Sequence, residues 1–216
     1  MVTEENRVQW VYSVCSNHEL ARRYDEWASS YDSELERDFA WNGHVRSVEM
    51  FGRLVQPDAK VIDVGCGTGL AAHELAVRGF NRIDDFDLSE GMLAEAKKRG
   101  IYGDLRVCVL GEPLDYATSS YHAAIATGVF SVGHAPRSGW DGVVRIVKPG
   151  GYFVLTLRPD IYESAGFKAK EEELVAVGKW ELVDASDPEQ FWPKVKLILP
   201  TRFALTVCCS RLMKPC

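Results

Sequence analysis

The run Val61-Ile62-Asp63-Val64-Gly65-Cys66-Gly67-Thr68-Gly69 carries the strongest chemical signal in the chain. An apolar stretch enters a turn with three alternate glycines, and a helix-forming stretch follows from Leu70. Glycines let the backbone approach a ligand closely and take conformations closed to other residues. The helix beyond offers unpaired N–H groups and a partial positive charge. The spacing is GxGxG, and Leu70 stands where a dinucleotide fingerprint has its third glycine. No Gly-Lys-Ser/Thr follows, which excludes a P-loop. Asp63 disfavours a pyrophosphate and favours a ligand with a cationic group, pointing away from NAD and towards an amino-acid-bearing sulfonium. Asp87 ends a second apolar run, 18 residues after Gly69. Its carboxylate can accept hydrogen bonds from both hydroxyls of a ribose. It also suits the plain role of an acid at a helix N-terminus.

These residues need a scaffold, and the pattern around them supplies one. Strands are expected at Val61–Val64, Ile83–Asp87, Leu105–Leu110, Ala123–Thr127 and Tyr152–Leu157. Helices are expected over Leu70–Arg78, from Ser89 to Arg99 and around Trp140–Val147, with Gly79 and Gly100 as stops for the first two. That alternation implies βαβ units and a parallel sheet, with the glycine turn at the carboxyl ends of the strands. Before it, Ser16-Asn17-His18-Glu19 reads as a capping box. Leu20, Tyr24, Trp27 and Tyr31 then share a helical face, which either docks on the core or covers a ligand. After it come a helix (Ala169–Val177) and strands near Trp180–Val183 and Phe203–Ser210, separated by a long loop with Pro188, Pro193 and Pro200.

Composition narrows the class. The chain has 216 residues, 46% hydrophobic and 26% charged, with a net charge of −6. This is ordinary globular usage, and the acidic balance argues against a nucleic-acid partner. No apolar run approaches the ~20 residues that cross a bilayer, and the first residues show no secretory signal. The six cysteines form no CxxC pair and are too sparse for a disulfide scaffold, so no metal and a cytoplasmic location with reduced thiols are expected.

The set resembles class I S-adenosylmethionine-dependent methyltransferases, and most of all the small Williams–Beuren syndrome chromosomal region methyltransferase-like proteins. The likeness rests on Tyr24-Asp25-Glu26-Trp27-Ala28, Tyr31-Asp32, Val61 to Gly69, Asp87-Leu88-Ser89-Glu90-Gly91-Met92-Leu93 and Val147-Lys148-Pro149-Gly150-Gly151-Tyr152. It implies a single domain over residues 1–216, with an N-terminal helical lid over 1–55 and a Rossmann-like core over 56–216. The core would hold a doubly wound, seven-stranded, mostly parallel sheet with an antiparallel C-terminal edge hairpin.

The resemblance also implies S-adenosyl-L-methionine as cofactor and S-adenosyl-L-homocysteine as product. Asp63 with Gly65, Cys66, Gly67 and Gly69 would hold the amino-acid part and Asp87 the ribose. Leu88 and Met92 would flank the adenine. Gly111 and Glu112 stand where relatives often carry an Asp near the adenine amino group. Thr127 and Gly128 would line the methyl-transfer face, and Tyr24 and Tyr31 would close over the cofactor. Tyr121-His122 replaces a common Phe-Asp, with no functional consequence expected.

A sulfonium methyl is already activated, so alignment and exclusion of water do most of the work. A base is needed only if the nucleophile arrives protonated. His134, after the fourth strand, is the best candidate base, though an exposed loop histidine is the plainer reading. His44 and Arg158 are candidate substrate-binding residues. The expected activity is methyl transfer to an O, N or S atom of a small molecule, by a monomer or homodimer. A protein methyltransferase and a non-catalytic cofactor-binding scaffold or sensor remain alternatives. A nicotinamide oxidoreductase would share the sheet but not the GxGxG spacing.

Overall fold

From residue 61 onward, short apolar runs alternate with amphipathic stretches, and strands and helices follow one another accordingly. The computed structural model describes residues 7–187 and 206–212. The stretch holding Pro188, Pro193 and Pro200 lies outside the described residues, as does Phe203.

The N-terminal part folds as α1 (Arg7–Tyr12), α2 (Asn17–Trp27), α3 (Tyr31–Glu34) and α4 (Gly43–Leu54). Ser16 caps α2 as its sequence predicts, its side chain accepting the Glu19 N–H at 3.2 Å. The aromatic stripe does not lie on one continuous helix. A 3-10 turn over Ala28–Ser30 and a π-turn over Leu35–Phe39 flank α3, and Ala40 ends the run at a left-handed φ of 51°.

The sheet region runs β1 (Val61–Val64), α5 (Leu70–Val77), β2 (Ile83–Asp87), α6 (Glu90–Lys98), β3 (Tyr102–Val107), β4 (Tyr121–Phe130), α7 (Gly139–Ile146) and β5 (Val147–Leu157). Then come α8 (Pro159–Ser164), α9 (Phe167–Ala176), β6 (Trp180–Ala185) and β7 (Thr206–Leu212). The strand order is β3-β2-β1-β4-β5-β7-β6. β1 to β5 pair in parallel, and β7 is antiparallel to both β5 and β6. The order reverses between β1 and β4, and a crevice at such a switch point is where open α/β sheets bind ligands.

Every residue of β1 is buried, as expected of a strand covered on both faces. The period of two sorts the core. Ile62, Val64 and Phe86 join Trp140 and Phe167 on one face. Val61, Ile83 and Val154 join Val48 and Phe51 of α4 and Leu75 of α5 on the other.

Three boundaries differ from expectation. β3 ends at Val107 rather than Leu110, because Val107 pairs with Asp87, the last residue of β2, and the chain turns after Cys108. β4 and β5 are longer than predicted, since Lys148-Pro149-Gly150-Gly151 stays within β5 where the register shifts between Tyr121 and Ala123 of β4. His122 is a strut there, as expected: its Nδ1 accepts the Lys60 N–H at 3.0 Å and its Nε2 lies 2.8 Å from Lys148 Nζ. Among the described residues no helix is long and apolar enough to cross a membrane.

Candidate functional site

The glycine turn between β1 and α5 takes its shape from three positive φ values, 67° at Gly65, 57° at Gly67 and 86° at Gly69. A Cβ at Gly65 would stand 2.7 Å from Val129 Cγ2, and one at Gly69 would stand 2.6 Å from the Tyr102 hydroxyl. A Cβ at Gly67 would meet nothing within 4 Å, so this glycine borders open space. Its N–H donates to Asp87 Oδ2 at 2.9 Å, while Asp87 Oδ1 accepts the Ser89 N–H at 2.9 Å. Asp87 thus ties the turn after β1 to the turn after β2, and each oxygen keeps a lone pair for a ligand.

Asp63 is 1% exposed, and burial together with the charge of Asp87 pushes its carboxyl up to about 7. Asp85 pairs in register with Asp63. It is fully buried, and neither of its carboxylate oxygens has a hydrogen-bond partner among the described residues. Burial pushes its carboxyl up to about 8. An acid-rich, water-poor turn with an open cradle at Gly67 fits an adenosyl amino acid, whose cationic end relieves the cost of buried carboxylates.

One cavity opens at this edge of the sheet. Tyr24, Tyr31, Asp63, Gly65, Cys66, Gly67, Asp87, Leu88, Met92, Thr127 and Gly128 all line it, together with His44 and His134. Gly69, Gly111, Glu112 and Arg158 do not. Gly69 is the N-cap of α5, packed against Tyr102 and Arg99. Glu112 is exposed, because β3 ends early and a turn joins Glu112 N–H to Val109 O at 3.2 Å. Gly111, at φ 97°, lies against Pro136 instead. The wall expected from Gly111 and Glu112 is supplied by Cys108, Val109 and Leu110. Arg158 is 6% exposed, and its guanidinium is held by Asp160 at 3.0 and 2.6 Å and lies 5.8 Å from the Tyr12 ring. Its charge is taken up inside the fold.

His134 also departs from expectation. Its Nδ1 lies 2.8 Å from the Val132 carbonyl, which fixes a proton on that nitrogen. Nε2 is then the acceptor for the Tyr24 hydroxyl, at 2.8 Å. Burial pushes the imidazole down to about 4, so it is neutral at pH 7. Neither ring nitrogen of this candidate base is free. His44 differs. It is the second residue of α4, and its buried Nδ1 has no partner among the described residues.

The sequence reading passed over what fastens α2 and α3 across the cavity. Asp25 Oδ1 accepts the Ser89 hydroxyl at 2.6 Å and the Gly91 N–H at 2.8 Å. Asp32 accepts the Thr68 hydroxyl and pairs with Arg99 Nη2 at 2.6 Å. The signal was present as Tyr24-Asp25 and Tyr31-Asp32, two Tyr-Asp pairs seven residues apart. Each tyrosine lines the cavity while the aspartate beside it binds the core. Trp41, another lining residue, lay outside every motif.

Comparison with known proteins agrees with this geometry. The family model described as "Methyltransferase domain" matches residues 62–155. Methyltransferase-like protein 27 of Homo sapiens is 31% identical over 193 residues, spanning 86% of this chain and 78% of that protein. Two solved structures share the fold at identities that show the fold alone. The Haloferax volcanii complex of the Trm112 methyltransferase activator with a methyltransferase aligns at TM-score 0.67 and 16% identity, over 88% of this chain and 98% of that one. The Burkholderia thailandensis 1,6-didemethyltoxoflavin-N1-methyltransferase, with bound 1,6-didemethyltoxoflavin and S-adenosylhomocysteine, aligns at TM-score 0.62 and 18% identity, over 93% and 92%. With the glycine turn, the paired acids and this match over most of both chains, the protein belongs to the methyltransferase-like protein 27 family of class I S-adenosylmethionine-dependent methyltransferases.

Proposed function

We propose that the chain moves the methyl group of S-adenosylmethionine to an oxygen, nitrogen or sulfur atom of a small-molecule acceptor, by in-line displacement. The observation that carries this reading is the cavity itself. It lies at the switch point of the sheet, is bordered by the open cradle at Gly67, and is covered by helices that contribute Tyr24 and Tyr31 and by Trp41 from the connection into α4. Among the described residues no lysine or arginine lines it. When bound, the cofactor supplies a methyl carbon already activated by the sulfonium charge. The protein's share is to bind, orient and keep water out.

In this reading Asp63 and the Gly65–Gly67 turn hold the amino-acid end. Asp87 receives the ribose hydroxyls on its remaining lone pairs. Leu88, Met92 and the Cys108–Leu110 wall enclose the adenine. Tyr24 and Tyr31 shield the reacting end, with Thr127 and Gly128 facing it. His134 is a positioning residue that holds the Tyr24 hydroxyl. Residues 1–55 serve as the lid of a core formed by 56–216.

Calorimetric titration with S-adenosylmethionine, S-adenosylhomocysteine and NAD tests the site, and only the two adenosyl ligands should bind. A screen for S-adenosylhomocysteine release over small molecules, basic peptides and RNA then tests the acceptor class. Release with peptide or RNA alone overturns the small-molecule reading. Tight binding with no release from any acceptor means a scaffold or sensor.

A further inference from the structure

Two polar atoms in the cavity wall have no partner among the described residues. They are Nδ1 of His44, at the start of α4, and Oγ1 of Thr127, near the end of β4. Both are buried, and such groups are nearly always satisfied by something. The cap of α4 does not explain His44, since the Asn42 side chain makes no capping bond and the His44 ring follows one residue later than Gly43.

Trp41 brings the two groups to one place. A Cβ at Gly43 would strike the Trp41 indole, so this glycine is what lets the ring lie on the first turn of α4. The same edge of the indole passes Gly128, whose Cβ would stand 3.7 Å from Trp41 Cζ2. That edge therefore lies beside both the residue before His44 and the residue after Thr127. The ring also joins two hydrophobic clusters, that of Trp27 and Phe39 in the N-terminal region and that of Val48 and Ala72 beneath it.

A largely apolar cavity wall that carries two unused hydrogen-bonding atoms is a recognition site with stated chemistry. Burial pushes the His44 imidazole down, so it faces the cavity uncharged. The carboxylates that line the cavity, Asp63 and Asp87, belong to the cofactor end, and no lysine or arginine among the lining residues would balance an anion. A charged acceptor would pay a desolvation penalty with nothing to offset it.

We propose that His44 and Thr127 select the acceptor, an uncharged planar molecule that enters the cavity beside them and donates its O–H or N–H to His44 Nδ1. The proposal rests on the small-molecule reading above and adds the class of molecule and the residue that chooses it. Thr127 Oγ1 serves as a second donor or acceptor to the same group or its neighbour.

The test uses the full chain saturated with S-adenosylhomocysteine and three probes of one shape: 2-naphthol, 2-methoxynaphthalene and 2-naphthoate. Binding is followed by calorimetry and by the ring 15N shifts of His44. The naphthol should bind at least tenfold tighter than either of the others and move the His44 Nδ1 resonance. His44→Phe should abolish the preference of naphthol over its methyl ether while changing S-adenosylhomocysteine affinity less than twofold. Thr127→Val, nearly isosteric, gives an independent variant and should weaken naphthol binding to the chain saturated with S-adenosylhomocysteine.

Equal affinity for the three probes, or binding of none, overturns the proposal. So does a His44→Phe protein that loses S-adenosylhomocysteine, since His44 would then hold the cofactor's carboxylate. Failure of the wild-type chain to bind S-adenosylhomocysteine is a separate result, and it would overturn the cofactor-site reading underneath.

Discussion

The Tyr24 hydroxyl donates to Nε2 of His134 across 2.8 Å, joining the helix that covers the cavity to the loop after β4. Because Nδ1 is committed to the Val132 carbonyl, this bond has one possible direction. Removing either partner strands the other. Tyr24→Phe and His134→Ala should each lower stability, and the double variant should lose less than the sum. A coupling of about 0.5–1.5 kcal/mol is expected from denaturant unfolding of the four proteins. Additive losses would mean that the two side chains do not act as a pair.

Asp87 holds two backbone N–H groups and offers its remaining lone pairs to the cavity. Asp87→Ala should weaken S-adenosylhomocysteine binding by about 1–3 kcal/mol and lower the melting temperature as well. Unchanged affinity in calorimetry would remove Asp87 from the ribose.

Asp63 should make cofactor binding depend on pH. Burial, then the charge of Asp87, raises its folded value to about 7, so the free protein is protonated there at pH 6. A cationic ligand favours the ionised form, so binding drives the proton off. Affinity for S-adenosylhomocysteine should rise between pH 5.5 and 7.5, by at most about tenfold per unit for one proton. Calorimetry in buffers of different ionisation enthalpy would register the released proton, and Asp63→Asn should flatten the curve. A flat wild-type profile would contradict the assignment.

Asp85 should make stability depend on pH in the opposite direction. Its folded value, about 8, stands above the unfolded one, so its contribution is complete below about pH 4 and drains away as pH rises through 8. Asp85→Asn keeps the shape and removes the ionisation. Urea unfolding should show the variant gaining about 1–3 kcal/mol on the wild type between pH 5 and pH 8.5. A difference that does not move with pH would mean that Asp85 does not ionise within the fold.

The sheet region was the most legible part of the chain, because its signals are local. Val61 to Gly69 shows an apolar strand breaking into glycines, and Ser89 announces α6, where its side chain accepts the Met92 N–H at 3.0 Å. Glu112 misled because its placing depends on where β3 ends, which the pairing of Val107 with Asp87, the last residue of β2, decides. Arg158 misled because its partner, Asp160, is two residues away and only the turn into α8 brings the two together. His134 was rightly drawn to the cavity, but its two partners, Val132 and Tyr24, come from its own loop and from 110 residues upstream. Asp85 left no trace, since a strand that buries three acids contradicts ordinary patterning.

The bonds of Asp25 and Asp32 bear on time rather than affinity. They pin the cover to the core at two places, at Ser89 and Gly91 just after β2 and at Thr68 of the glycine turn with Arg99 at the end of α6. A molecule as large as spent cofactor has to wait for that cover to unfasten, so exchange is a slow event separate from the chemistry. Rapid mixing should show a first turnover faster than those that follow, with the later rate governed by how often two carboxylates let go.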